Sequence, residues 1–264
     1  MRYVLGIALS IISVLAVAAG AVIGRFMWRY RLRFSQALLY ALDVALTRYL
    51  WRTTVEGSIE LAAGQGAIFV SNHRSSIDPL YLQMLIPRAI HYLVAREYVE
   101  RRFLGWPLRV GGAIPVNRGG IDTAAIKLAI RYAEAGEMVG IFPEGRINTT
   151  DEFMLPGRPG VALIALKARV PVIPCYIEGA PYGGHILSPF LTRAKVKVRI
   201  GKPIDLSEYY ERAHEDGVLA EMTLRFMRAI ARLAGVENFE PKIAGRRWKL
   251  DEDVVDSADV EDPA

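Results

Sequence analysis

The sequence predicts an α/β fold: an αβα sandwich around a mixed, mostly parallel sheet, preceded by an N-terminal transmembrane helix and a membrane-associated helix. Three observations carry this reading. Between residues 53 and 204, short apolar runs alternate with helix-spaced segments, the pattern of strands joined by helical crossovers. Several of those runs are apolar throughout and bounded by Gly or Pro, as strands covered on both faces tend to be. Finally, residues 3–24 form an uncharged run of 22 residues, and about 20 residues suffice to cross a bilayer core.

That apolar run is followed by Arg25-Phe26-Met27-Trp28-Arg29-Tyr30-Arg31-Leu32-Arg33, four arginines and three aromatics without an acid. Such a flank marks a cytoplasmic interface. Residues 1–33 are therefore expected to be a single-pass anchor, with everything after them on the cytoplasmic face of the inner or plasma membrane. Ala16-Val17-Ala18 resembles a signal-peptide cleavage site, but the apolar core is longer than the roughly 7–15 residues of such signals. Residues 34–52 place Ala37, Leu38, Ala41, Leu42, Ala45 and Leu46 on one helical face. This suits either an amphipathic helix on the membrane or an ordinary core helix. Adjacency to the anchor favours the first.

The domain proper runs from 53 to 250. Strands are expected at 53–61, 67–70, 90–95, 138–142, 172–177 and 194–200. Helices are expected at 80–86, 96–103, 122–135, 160–168 and over most of 207–234, with an interruption near Gly217. Asp78 and Pro79 have the character of an N-cap and a first helical residue. Gly105-Trp106-Pro107 reads as a break, and Gly136 as a C-cap. Residues 251–264 hold seven acids and no Lys or Arg, a composition expected to be disordered.

Hydrophobic residues make up 52% of the chain and the mean hydropathy is +0.20, high for a protein without a membrane segment. The net charge of +5 hides an asymmetry: without the tail, 33 basic residues face 21 acidic ones. A basic body suits nucleic acid, anionic lipid or a phosphorylated substrate. The arginines cluster beside the apolar span, so membrane lipid is the expected partner and nucleic acid is not. A single cysteine, Cys175, excludes an internal disulfide.

The chemistry is expected at the turn Ser71-Asn72-His73-Arg74-Ser75-Ser76-Ile77-Asp78, between a strand and a helix. Catalytic side chains of α/β sheets are displayed at such strand ends. A carboxylate near a histidine can fix its tautomer and make it a general base. Taken alone, the pair is equally a turn histidine and a helix-capping aspartate. Two further strand ends accompany it. Asn117-Arg118 ends in a guanidinium suited to phosphate. Glu144-Gly145-Arg146 sets a carboxylate on a tight turn, where it could meet a polyol, orient an arginine or cap the turn. Residues 170–174, Val-Pro-Val-Ile-Pro, read as an apolar wall. Ser75 and Ser76 lack a Gly-x-Ser-x-Gly setting and read as turn residues. His91, His185 and His214 are scattered singly, so no metal site is expected.

Together, Asn72-His73 with Asp78, Gly112 with Ile114 and Arg118, Phe142-Pro143-Glu144-Gly145, and Val170-Pro171-Val172-Ile173-Pro174 resemble the four ordered blocks of the glycerolipid acyltransferase family. The resemblance implies an acyltransferase domain over 53–250. Its expected reaction moves a fatty acyl group from acyl-CoA or acyl carrier protein, as co-substrate, to lysophosphatidate. It implies His73 as general base and Asp78 as its orienting partner. Asn72, Ser76, Asn117, Arg118, Glu144, Gly145 and Arg146 are the substrate-binding candidates, and no further cofactor is implied. Family members often follow the third block with Thr, Arg and Ser; here Arg146, Ile147 and Asn148 stand there, which bears on the acceptor's head group. Glycerol 3-phosphate or another lysolipid is an alternative acceptor. A thioesterase could use the same His-Asp pair, although water needs no phosphate clamp.

Overall fold

In a computed structural model of the protein, residues 2–30, 32–117 and 122–245 are described, with only a minority of the side chains before residue 16. Arg118 and the acidic tail at 251–264 lie outside the described residues. Two helices open the chain, α1 (Arg2–Tyr30) and α2 (Phe34–Ala45), the second ending in a π turn at Leu46–Leu50. Tyr40 of α2 meets Phe26 and Tyr30 of α1 edge to face, with centroids 5.2 and 6.3 Å away. Among the described residues no helix is long and apolar enough to cross a membrane. The expected span at 3–24 includes side chains outside the description, so it rests on the sequence.

A seven-stranded sheet follows, built from β1 (Thr54–Glu56), β2 (Ala67–Ser71), β3 (Ile90–Ala95), β4 (Ile114–Val116), β5 (Met138–Ile141), β6 (Val172–Glu178) and β7 (Lys197–Ile200). Their spatial order is β1-β7-β6-β2-β5-β3-β4, and every neighbouring pair is parallel except β6 with β7. The mixed, mostly parallel sheet is therefore as expected. β2 lies between β5 and β6 and is buried at all five positions, which accounts for its unbroken apolar run.

Side chains alternate across the sheet with period two. Ile68, Val70, Val139 and Ile141 pack under α6 (Thr123–Glu134), α7 (Gly160–Ala168) and α9 (Val218–Leu233). Ala67, Phe69, Met138, Ile173 and Cys175 face the other layer, with Trp51 and with Tyr81 of α3 (Asp78–Gln83). Three local expectations are corrected. β1 pairs over three residues only, because β7 offers partners only from Lys197 to Arg199. Gly105-Trp106-Pro107 does not break the chain but opens α5 (Gly105–Val110), since proline is tolerated in a first helical turn. Asp78 is not the N-cap of α3: Ile77 holds that place, and the Asp78 carboxylate turns back to the residues before it.

Candidate active site

β2 delivers the histidine turn to the C-terminal edge of the sheet, beside the ends of β5 and β6. There His73 Nδ1 lies 2.9 Å from Asp78 Oδ2. The same oxygen accepts the backbone N–H groups of Arg74 at 2.7 Å and Ser75 at 2.8 Å. Asp78 is fully buried, so three donors fix one oxygen in place. An aspartate oxygen accepts, hence Nδ1 carries the proton and Nε2 is left as the basic nitrogen. The imidazole stacks on Phe142, with centroids 4.0 Å apart and planes 11° apart, and keeps 15% of its side chain exposed.

The backbone of His73 is braced from the β5 side at both of its polar groups. Its N–H donates to Glu144 Oε1 at 2.7 Å, and its carbonyl accepts from the Asn148 N–H at 2.7 Å. Glu144 Oε2 accepts the Leu155 N–H at 2.8 Å, and the residue is only 2% exposed. Burial pushes its carboxyl up to about 7, against the two amide hydrogen bonds that pull it down. Glu144 thus stands beneath the histidine turn, engaged at both oxygens. Gly145 has φ +70°, and a Cβ there would meet Arg158 Nε at 2.7 Å, which is the physical demand for glycine after this glutamate. Arg146 follows, half-exposed, in the same turn.

On the β6 side, Asn72 takes the place of a strand residue. Its Nδ2 donates to the Ile177 carbonyl at 2.9 Å, and its Oδ1 accepts the Ile177 N–H at 2.8 Å. The hydroxyls of Ser75 and Ser76 donate to the carbonyls of Pro181 at 2.5 Å and Ile186 at 2.8 Å. Both serines are turn-fastening residues rather than nucleophile candidates. Cys175 is fully buried, and burial pushes its thiol far up, as for an inert core residue.

The structure therefore brings together His73, Asp78, Asn72, Ser76, Glu144, Gly145 and Arg146. Asn117 stands apart, exposed after β4, with its Oδ1 accepting from Arg96 Nε at 2.8 Å. β4 lies three strands from β2 on the same sheet edge, roughly 14 Å at ordinary strand spacing. Sequence reading missed two supports. Phe142 is the platform under the imidazole. His91 holds the turn before β4: its Nδ1 lies 2.7 Å from the Gly112 carbonyl oxygen, and its ring stacks on Tyr132 at 3.9 Å. The glycine pair Gly111-Gly112, the second at φ +72° in the structure, was the available signal for a shaped turn there.

Residues 52–178 match the Acyltransferase family. The 1-acyl-sn-glycerol-3-phosphate acyltransferase of Bacillus subtilis (strain 168) is 28% identical over 150 residues, covering 56% of this chain and 72% of that protein. The protein of the same name from Streptococcus pneumoniae (strain ATCC BAA-255 / R6) is 29% identical over 153 residues, 57% of this chain and 54% of that one. The human 1-acyl-sn-glycerol-3-phosphate acyltransferase beta is 26% identical over 162 residues, 60% and 58% respectively. The match thus spans just over half the length of the latter two relatives. The crystal structure of the 1-acyl-sn-glycerophosphate (LPA) acyltransferase, PlsC, from Thermotoga maritima superposes with a TM-score of 0.56 over 92% of this chain and 100% of that one. At 20% identity that likeness concerns the fold. By the family match and these relatives together, residues 52–178 are similar to acyltransferase enzymes.

Proposed function

We propose that this enzyme transfers a fatty acyl group from an acyl thioester to the free hydroxyl of lysophosphatidate, giving phosphatidate. The observation that carries it is the His73–Asp78 pair, oriented by three N–H donors to one oxygen and leaving Nε2 open at the sheet edge. The acceptor hydroxyl gives its proton to Nε2 as its oxygen bonds to the thioester carbonyl carbon. Collapse of the tetrahedral adduct breaks the C–S bond, and the departing thiolate takes the proton from the imidazolium. No acyl-enzyme is needed, because a thioester is already electrophilic and the site need only deprotonate and position the hydroxyl.

The names of the relatives support lysophosphatidate as acceptor. Arg118 is proposed as a phosphate ligand, with Arg146 as a second. Asn72, Ser76, Asn117, Glu144 and Gly145 shape the binding surface. Their bonding in the structure favours an indirect part for Asn72, Ser76 and Glu144, which hold backbone. The anchor reading rests on the uncharged run at 3–24 and its arginine flank. It places the domain on the cytoplasmic face of the membrane, where acyl-CoA or acyl carrier protein is at hand. α2 supports this with Phe34, Leu38 and Leu42 exposed at helical spacing on one face.

The test is acyl transfer in membranes containing the protein, with labelled oleoyl thioester and lysophosphatidate, glycerol 3-phosphate, lysophosphatidylcholine or no acceptor. Phosphatidate should form only with lysophosphatidate, and His73→Ala should lower its rate by about 10²–10⁴. Fatty acid released at the same rate without acceptor makes the enzyme a thioesterase instead.

A further inference from the structure

The histidine turn is fastened to a segment that the proposed chemistry does not use. Residues 180–196, after β6, contain no acid. They leave Leu187 59% and Leu191 90% exposed, with Phe190 exposed beside them. Lone exposed leucines are ordinary, but a cluster on a held segment is not. Ser188–Leu191 forms one 3-10 turn, and Ser188 Oγ donates to the His185 carbonyl and accepts the Gly183 N–H.

Two attachments hold the segment from outside. Ser75 and Ser76 of the catalytic turn donate to the carbonyls of Pro181 and Ile186. Trp51 Nε1 donates to the Pro189 carbonyl at 3.0 Å, and its ring meets Phe190 edge to face at 5.7 Å. Trp51 directly follows the π turn after α2, whose Tyr49 is 77% exposed. Residues 44–55 also contain no acid, and Arg48, Arg52 and Arg193 are exposed on the two segments that Trp51 joins. Exposed apolar side chains on segments that carry arginines and no acids match the interface of an anionic bilayer.

We propose that residues 187–191 are a second membrane-contacting element, which enters an anionic phospholipid bilayer beside α2 and, through Ser75 and Ser76, holds the catalytic turn at that surface. The inference rests on the reading of a membrane-bound enzyme with α2 at the lipid surface. The buried Cys175 leaves an introduced thiol as the one accessible site for a dye. The full chain carrying Leu191→Cys, labelled with an environment-sensitive dye, is bound to vesicles of equal parts phosphatidylglycerol and phosphatidylcholine. A parallel sample carries the dye at Leu42→Cys in α2. Bromine on the lipid acyl chains should quench most of the emission at both positions. Quenching at Leu42→Cys alone overturns this inference and leaves the α2 reading intact, and quenching at neither overturns both. A Leu191→Cys dye shielded from water yet unquenched by lipid marks contact with protein, a second copy included, and also overturns it.

Discussion

At Asp78 one oxygen accepts three N–H groups, so the carboxylate that orients His73 is also what shapes the turn. Asp78→Asn keeps an acceptor but no charge to stabilise an imidazolium, and it should lower kcat by about 10²–10⁴. Activity within about tenfold of wild type counts against a base supported by this residue. Glu144 yields a pH prediction. Its carboxyl, ordinarily near 4.5, titrates near 7 in the folded protein because it is buried. Between those values the folded state keeps a proton that the unfolded chain has released. Its contribution to stability is therefore full at low pH and declines as pH rises through the window, by on the order of 3 kcal/mol. Denaturant titrations of wild type and Glu144→Gln across that range should show the extra decline in wild type only. Equal slopes remove Glu144 as the titrating group.

The elements that position the site differ in how far the sequence revealed them. β2, β5 and β6 were legible because strands buried on both faces give continuous apolar runs ending in turn residues. Three of the four blocks were legible for the same reason, as polar residues following such runs, and the fourth as the apolar start of β6 itself. What stayed hidden depends on partners distant in sequence. Asn72 gives no sign of its two bonds to Ile177, 105 residues away. His91 gives none of its bond to Gly112, and Asp78 looked like a helix cap because the competing donors lie on its N-terminal side. The Asn72 clamp ties the end of β2 to β6, so Asn72→Ala leaves two buried backbone groups of Ile177 unpaired. The expected loss is about 1–3 kcal/mol for each, read as a lower denaturation midpoint.

Across the whole molecule, the helices and the sheet do different work: under the proposed anchoring α1 and α2 hold the domain at a membrane, and the parallel strands bring the site residues to one edge of the sheet. Alkaline carbonate should leave the full chain in the membrane fraction, whereas a chain starting at residue 34 should be released at least in part. Equal release of both would remove the anchor. The sheet order carries one more consequence. β1, which follows directly on α1, α2 and the π turn, pairs with β7 alone among the described residues, so Thr54 waits for Lys197 across 143 residues. During synthesis the first strand to leave the ribosome is among the last to be paired, and closing so long a loop is slow relative to local folding. Under the proposed anchoring, the nascent chain is held at its amino end while its sheet grows outward from β2. A chain stalled before residue 197 would leave an open sheet edge, which a chaperone or protease would meet first.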